Sequence, residues 1–358
     1  MHSRKFEIKV PASSANIGPG FDVLGIGLNL FLVLNVTVDS SAIKDKSLNF
    51  DVHNCLITYE GEGAEDVPLD SDENLITRTA LYVLRCHNIR EFPAGTFIHV
   101  SNPIPLGRGL GSSGAAVVAG ALLANEIGKF NLSRSRCLDF CLMIERHPDN
   151  ITAAMMGGFV GSYLRELSAT ELERKEIPLA EVLPQPAGGE DTGLVPPIPP
   201  FEIGHHIKYN LNKKIKFLTI IPNFELSTAT SRDVLPSAYT RKDLVFNLQR
   251  IAVLTTAITL DPPNPELIYS SMQDRIHQPY RKTLVPGLSE ILNSMSPNTN
   301  PGLLGICLSG AGPTILALVT ENYSEIADEI INRFKKNGIT CTWKLLEPAY
   351  DGATVTEL

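Results

Sequence analysis

Apolar residues along this chain recur at two spacings, and the order in which the spacings appear sketches the fold. Strand-like patterns occupy Lys5–Val10, Leu30–Val38, Leu48–Val52 and Thr96–Val100. The greasy run from Phe21 to Val36 is interrupted by Asp22, Asn29, Asn35 and two glycines, so it reads as strands rather than a membrane span. Helical spacing takes over at Asn74–Arg85, where Leu75, Ile76, Ala80, Val83 and Leu84 share a face. Two further helices are expected at Ala115–Ile127 and Ser133–Arg146, the second stopped by Pro148. The first of these is Ala, Val, Gly and Leu on every side and reads as buried.

From 167 to 210 the pattern dissolves. A charged stretch, Glu171-Leu-Glu-Arg-Lys-Glu176, is followed by Pro184, Pro186, Gly188, Gly189, Pro196, Pro197, Pro199 and Pro200. Pro and Gly at this density predict a long surface loop between two lobes, residues 1–166 and 211–358. In the second lobe Ile215–Ile221, Gly305–Leu308 and Ile315–Val319 read as strands, and Leu244–Leu260 and Tyr323–Asn337 as helices. Asp261-Pro-Pro-Asn-Pro265 is a clear break, and no internal repeat is visible. The predicted class is α+β in two lobes.

Composition narrows this only modestly. With 358 residues, 43% hydrophobic and 20% charged, the chain supports a sizeable core and is long enough for two domains. A formal charge of −8 disfavours general binding of nucleic acid or an anionic membrane. The six cysteines include no Cys-x-x-Cys pair, and reduced thiols suit an intracellular, cytoplasmic protein without a signal segment.

The chemistry is concentrated in Pro103-Ile-Pro-Leu-Gly-Arg-Gly-Leu-Gly-Ser-Ser-Gly-Ala-Ala116, which puts four glycines and two hydroxyls between a strand and a helix. Such a turn directs backbone N–H groups and a helix dipole into one concavity suited to phosphate. Gly109-Leu-Gly-Ser-Ser-Gly114 spells a dinucleotide fingerprint, but no acidic residue follows about twenty positions on. The loop has no lysine, which excludes a Walker A site, and no Val-Ala-Ile-Lys strand follows, which excludes a protein-kinase loop. The plainer alternative is a tight turn that only packs a helix on a sheet. Paired serines at a helix start serve as N-caps in that case, and as phosphate or Mg2+ ligands in the other.

Four other clusters carry polar chemistry. Pro11-Ala-Ser-Ser-Ala-Asn-Ile-Gly-Pro-Gly-Phe-Asp22 brings hydroxyls, an amide and a carboxylate around a turn, and on its own is either a turn or a substrate contact. Glu145-Arg-His-Pro-Asp-Asn150 ends one helix and opens another, where Asp149 or Asn150 is an N-cap candidate. Leu308-Ser-Gly-Ala-Gly-Pro-Thr314 is a strand–loop–strand turn. Ser227-Thr-Ala-Thr-Ser-Arg232 and Asp274-Arg-Ile-His-Gln-Pro-Tyr-Arg281 supply arginines, either solvated or clamps for a carboxylate.

Together, and in this order, these segments resemble the superfamily of galactokinase, homoserine kinase, mevalonate kinase and phosphomevalonate kinase, the GHMP small-molecule kinases. The fungal homoserine kinase branch is the most similar, because Glu145-Arg-His-Pro-Asp-Asn150 looks like its Glu-Gly-His-Pro-Asp-Asn. The resemblance implies an N-terminal lobe like the second domain of ribosomal protein S5, a ferredoxin-like C-terminal lobe, and a homodimer. It implies transfer of phosphate from ATP to L-homoserine on the way to threonine.

By the same resemblance Pro103 and Gly107 to Ala115, that is Gly107, Arg108, Gly109, Leu110, Gly111, Ser112, Ser113, Gly114 and Ala115, hold the triphosphate, and Asn74 the adenine. Ser112 and Glu145 are similar to the Mg2+ ligands, with Asp139 as a fallback for Glu145. Asn16, Asp22, His147 and Asn150 resemble the homoserine pocket; Asp22 suits the ammonium, and Arg232 and Arg281, with Thr228, the carboxylate. Asn16, Glu145, Asn150 and Arg232 form the expected catalytic set. Several superfamily members place an aspartate base where Asn150 stands, so positioning and electrostatics are expected to carry the transfer here. A mevalonate-type substrate and a non-catalytic ligand sensor are the alternatives. The arginine pair opposes the first, and the intact loop with Ser112 and Glu145 opposes the second.

Overall fold

In the computed structural model, which describes residues 3–45, 47–172 and 195–358, two long strands form the spine of the first lobe. β1 (Arg4–Ala15) and β2 (Leu24–Val38) pair antiparallel from Arg4 opposite Val38 to Ala15 opposite Gly25. Their register slips between Pro11 and Ala12, where proline has no N–H to give the ladder. β3 (Cys55–Gly61), α1 (Leu75–Cys86) and β4 (Thr96–Asn102) follow, β3 running parallel to β4. Next come α2 (Ser112–Gly128), α3 (Arg134–Ile144), α4 (Pro148–Met156), β5 (Phe159–Leu164), α5 (Ala169–Leu172) and β6 (Gly204–Tyr209).

The second lobe opens with β7 (Lys216–Pro222), α6 (Thr228–Asp233), α7 (Arg241–Ala257), α8 (Pro265–Ser271), α9 (Gln278–Arg281) and α10 (Leu288–Ser294). β8 (Leu303–Leu308), β9 (Ile315–Val319), α11 (Tyr323–Lys336) and β10 (Cys341–Leu346) complete its antiparallel sheet, in the order β10-β7-β9-β8. β11 (Thr354–Glu357) then returns to the first lobe beside β1. Among the described residues the first sheet has seven strands, ordered β11-β1-β2-β4-β3, with β5 on the far end of β2 and β6 on β5.

α2 is buried nearly all round, as its composition predicts, and packs against α1 and β1. A Cβ on Gly120 would lie 2.3 Å from the Ile76 carbonyl, so this glycine sets how closely the two helices approach. In the second lobe Ile326, Ile330 and Phe334 of α11 cover Leu218, Ile220 and Ala317 of the sheet. Each such burial contributes about 1.5–3 kcal/mol. Phe217, Leu316 and Leu318 join the core of the first lobe, so the lobes share packed side chains.

Two expectations about elements fail. Residues 48–52 form no strand, because the Asp51 carboxylate accepts the N–H groups of His53 (2.9 Å), Cys55 (3.0 Å) and Ser71 (3.2 Å) and holds a turn. The ladder starts instead at Cys55. Residues 204–209, expected within a loop, form β6, antiparallel to β5 from Leu164 opposite Gly204 to Phe159 opposite Tyr209. The prolines end at Pro200, so the strand keeps every N–H it needs. The centre of the Pro-rich stretch, 173–194, lies outside the described residues. Among those described, no helix is long and apolar enough to cross a membrane.

Candidate active site

Residues 103–111 link β4 to α2. Gly107, Gly109 and Gly111 take left-handed backbone, with φ of +61°, +82° and +69°. A Cβ on Gly111 would sit 2.1 Å from the Ser13 hydroxyl, and one on Gly109 would meet the Ser309 carbonyl at 2.4 Å. These two positions require glycine.

Four consecutive carbonyls of the loop are tied from outside. The N–H of Leu226 donates to Gly107 (2.9 Å), that of Thr314 to Arg108 (3.3 Å) and that of Ser13 to Leu110 (3.1 Å). The Ser309 hydroxyl donates to the Gly109 carbonyl at 2.5 Å. A trans peptide holds its N–H opposite its C=O, so these ties turn the N–H groups of residues 108–111 away from their anchors. Among the described residues, none of those four N–H groups has a backbone acceptor. α2 adds the unpaired N–H groups and positive dipole end of its first turn, and among the described residues the buried Arg108 Nε has no partner. Unpaired donors on one concave surface fit a phosphate chain.

A cavity of about 430 Å³ opens on this loop. Its lining includes Gly107 through Ser113, with Asn16, Asp22, Asn74, Glu145, His147, Asn150, Thr228, Arg232 and Arg281. Most of the expected residues are thus brought together from both lobes. Pro103, Gly114 and Ala115 are not in the lining: Pro103 is exposed, and the other two are buried at the start of α2.

One arm of the cavity is largely apolar, walled by Leu32, Tyr59, Val67, Pro68, Leu75 and Leu106. Asn74 lies here, but its amide is already committed. Its Oδ1 caps α1 by accepting from the Ile76 N–H (3.0 Å), and its Nδ2 donates to the Pro68 carbonyl (2.8 Å). It shapes the wall rather than offering a free amide. Tyr59 accepts from Asn102 Nδ2 at 2.8 Å, and both line the cavity. Sequence reasoning missed this pair, which only the parallel register of β3 with β4 brings together.

The other arm is charged. Asn16 and Asp22 sit in a turn with φ of +70° and +55°. Asn16 Oδ1 accepts from the Asp22 N–H (3.0 Å) while its Nδ2 donates to the Gly310 carbonyl (2.9 Å). Arg232 lies one turn beyond Thr228 on α6, so both face the cavity. Its Nη2 meets Asp22 Oδ1 at 2.7 Å. Arg281, only 2% exposed, donates from Nε to the Ser231 carbonyl (3.0 Å) and from Nη1 to Gly310 (3.1 Å). Burial, and then the nearby Arg232 charge, push its pKa down to about 10. A pair of cations held this way favours an arriving anion. His277, also missed, is fully buried beneath them. It donates from Nε2 to the Gly18 carbonyl at 2.8 Å, and burial lowers its pKa.

Glu145 follows α3 and His147 precedes α4, with 3.9 Å between His147 Nδ1 and Glu145 Oε1. Burial is the largest influence on His147 and acts to lower its pKa, yet the Glu145 carboxylate and other neighbours leave it raised. Asn150 Oδ1 accepts from the Ser13 hydroxyl at 3.0 Å. Neither Asp149 nor Asn150 is the N-cap of α4; His147 holds that position. Asp149 lies within the first turn, lines the cavity and is 1% exposed. Burial, with the Asp22 charge, raises its pKa to about 7. Asp139 does not line the cavity. It pairs with Arg136 at 2.7 Å and accepts the Ile203 N–H at 2.8 Å, anchoring the chain before β6.

Comparison with known proteins gives the family. The family described as GHMP kinases N terminal domain matches residues 74–158, and GHMP kinases C terminal matches 263–340. A homoserine kinase of Saccharomyces cerevisiae is 71% identical over 99% of both chains, and one of Candida albicans 59% identical over 98% of both. The chain belongs to the homoserine kinase family of GHMP kinases. The fold of this kinase is also that of a crystallised homoserine kinase from Cytophaga hutchinsonii, 23% identical over 98% of this chain and 97% of that one, with a TM-score of 0.73. A mevalonate kinase structure shares the fold at a TM-score of 0.58 and 13% identity, covering 95% of this chain and 99% of its own. Membership in the family implies use of ATP by this kinase. The glycine cradle, with its unpaired N–H groups, suits that ligand. Among the described residues no group of three or more His, Cys, Asp or Glu is arranged to hold a metal ion. Ser112 and Glu145 do line one cavity, a donor set compatible with a cation that takes its other ligands from phosphate and water.

Proposed function

We propose that this kinase transfers the γ-phosphoryl group of ATP to the side-chain hydroxyl of L-homoserine, giving ADP and O-phospho-L-homoserine. The observation that carries the reading is the Asp22–Arg232 pair, in contact at 2.7 Å beside buried Arg281. An α-amino acid carries both charges needed to replace that contact. Its ammonium satisfies Asp22, and its carboxylate takes Arg232 and Arg281, with Thr228 assisting. Mevalonate, a carboxylate without an ammonium, leaves Asp22 without a substrate partner. The 71% identity to a homoserine kinase over nearly the whole chain supports the same substrate.

In this reading the N–H groups of residues 108–113 receive the phosphates, and the apolar arm at Asn74 and Tyr59 receives the base. Ser112 and Glu145 hold Mg2+, which neutralises charge on the phosphates when bound. Asn16, His147 and Asn150 orient the acceptor, and Asn150 holds the hydroxyl in line by hydrogen bonding rather than as a strong base. On the strength of the family resemblance we retain a cytoplasmic homodimer as part of this proposal.

The test is ADP release from Mg-ATP by the purified protein. L-Homoserine should stimulate it strongly, and mevalonate, galactose and L-serine far less. ADP release that does not depend on homoserine would overturn the assignment.

A further inference from the structure

We infer that Ser309 is a positioning residue for the phosphoryl donor, acting through the Gly109–Leu110 peptide. Ser309 is fully buried and does not line the cavity. Its hydroxyl nonetheless holds the Gly109 carbonyl at 2.5 Å. A carbonyl cannot donate, so the single Ser309 proton lies in that bond. In the 2.7 Å contact between the Ser14 and Ser309 hydroxyls, Ser14 is therefore the donor. A chain of hydroxyls thus runs from β1 through the β8–β9 loop to the glycine cradle.

Of the four ties on the cradle, those to Gly107, Arg108 and Leu110 come from backbone N–H groups, which survive most substitutions of the residues that supply them. The tie to Gly109 alone among the four comes from a side chain. Gly109 has φ of +82° and no Cβ to restrict it, so the peptide that follows it is free to rotate once untied. Holding its carbonyl aims the Leu110 N–H, one of the unpaired donors of the cradle.

The next residue serves the other arm of the cavity. The Gly310 carbonyl accepts from Asn16 Nδ2 (2.9 Å) and Arg281 Nη1 (3.1 Å), and the Gly310 N–H donates to Ala15 (3.1 Å). The donor cradle and the acceptor clamp are thus held one residue apart on a single loop. Ser309 sets the first against the second, and three of the four ties come from the second lobe.

This inference rests on the cradle being the ATP site, and the test separates the two claims. Binding of a non-hydrolysable ATP analogue is measured by calorimetry, beside steady-state kinetics and thermal denaturation, in wild type, Ser309→Ala and Ser14→Ala. Ser14 is equally buried and loses one hydrogen bond, but does not touch the cradle. Ser309→Ala should weaken nucleotide binding about tenfold or more and lower kcat, with the KM for homoserine within about threefold of wild type. Ser14→Ala should stay within about threefold on nucleotide at a comparable loss of melting temperature, and Ser309→Thr, which keeps the hydroxyl, should restore affinity. Unchanged nucleotide affinity in Ser309→Ala, or equal losses in Ser309→Ala and Ser14→Ala, overturns the inference. If Ser309→Ala does not fold, Ser309→Cys fills the space with a poor donor, and normal affinity in it has the same force. Failure of the wild type to bind the analogue overturns the functional reading instead.

Discussion

Along the glycine loop the recognising surface is main chain, whereas in the charged arm of the cavity it is side chain. The cradle at 107–111 presents N–H groups whose direction follows from three left-handed glycines and four tied carbonyls. The acceptor arm presents Asp22, Arg232 and Arg281, whose charges act on one another across the site. The first surface is set by geometry that almost any added side chain destroys. The second depends on charge that a single substitution removes. The contrast fits two ligands of different kinds: polyphosphate needs many weak donors in a fixed array, and an amino acid needs two opposite charges at a fixed separation.

The sharpest way to break this comparison is at Gly111. Gly111→Ala forces a Cβ to 2.1 Å from the Ser13 hydroxyl at a φ of +69°. It should destabilise the protein by about 3 kcal/mol or more and lower kcat/KM by roughly a thousandfold. Thermal denaturation with steady-state kinetics checks this, and near-normal activity would show that the loop relaxes freely.

Next in size is the side-chain end. Arg281→Leu should raise the KM for homoserine by about a hundredfold while nucleotide affinity changes by less than about threefold. A main loss on the nucleotide side would show that Arg281 serves the nucleotide rather than the acceptor.

A smaller effect concerns Asp149 and pH. Its pKa rises from the ordinary 3.8 to about 7 on folding. The stabilisation from binding this proton is complete below about pH 4, and is lost as pH rises through about 7, because the unfolded chain ionises first. Asp149→Asn cannot ionise. Its stability relative to wild type should therefore improve by roughly 1–3 kcal/mol between pH 4 and pH 8 in urea titrations; a constant difference would mean the carboxyl is ionised in the fold. The smallest change is expected at Gly114, where an added Cβ meets nothing closer than 3.5 Å and φ is not left-handed. Gly114→Ala lies inside α2 and should be neutral or stabilising by about 0.5–1 kcal/mol, with activity retained.

Legibility in the sequence follows how local each feature is. The cradle, the Asn16–Asp22 turn and the Glu145–Asn150 junction are continuous segments whose residue types betray their chemistry, and all three reach the cavity. Leu48–Val52 alternates like a strand, but the Asp51 carboxylate competes for the backbone and wins, an outcome that apolar spacing does not register. Tyr59 and Asn102 meet because two strands pair in a given register. His277, an ordinary residue in a short motif, becomes a buried support only because Gly18 lies above it. Gly114 and Ala115 look like part of a phosphate loop, yet the helix has already begun at Ser112 and turned them inward.

By itself the order of residues determined where the chain can turn left-handed, which helix is apolar all round, and which short segments carry phosphate, carboxylate and ammonium chemistry. These are properties of neighbours along the chain, governed by backbone sterics and side-chain type. Only the packing of two lobes decided that the segments share one cavity, that Asp149 is buried enough for its pKa to rise to about 7, and that Ser309 grips the glycine loop. Burial, desolvation and hydrogen-bond direction depend on groups some 200 positions apart, as between Gly109 and Ser309, and exist only once the fold has brought them together.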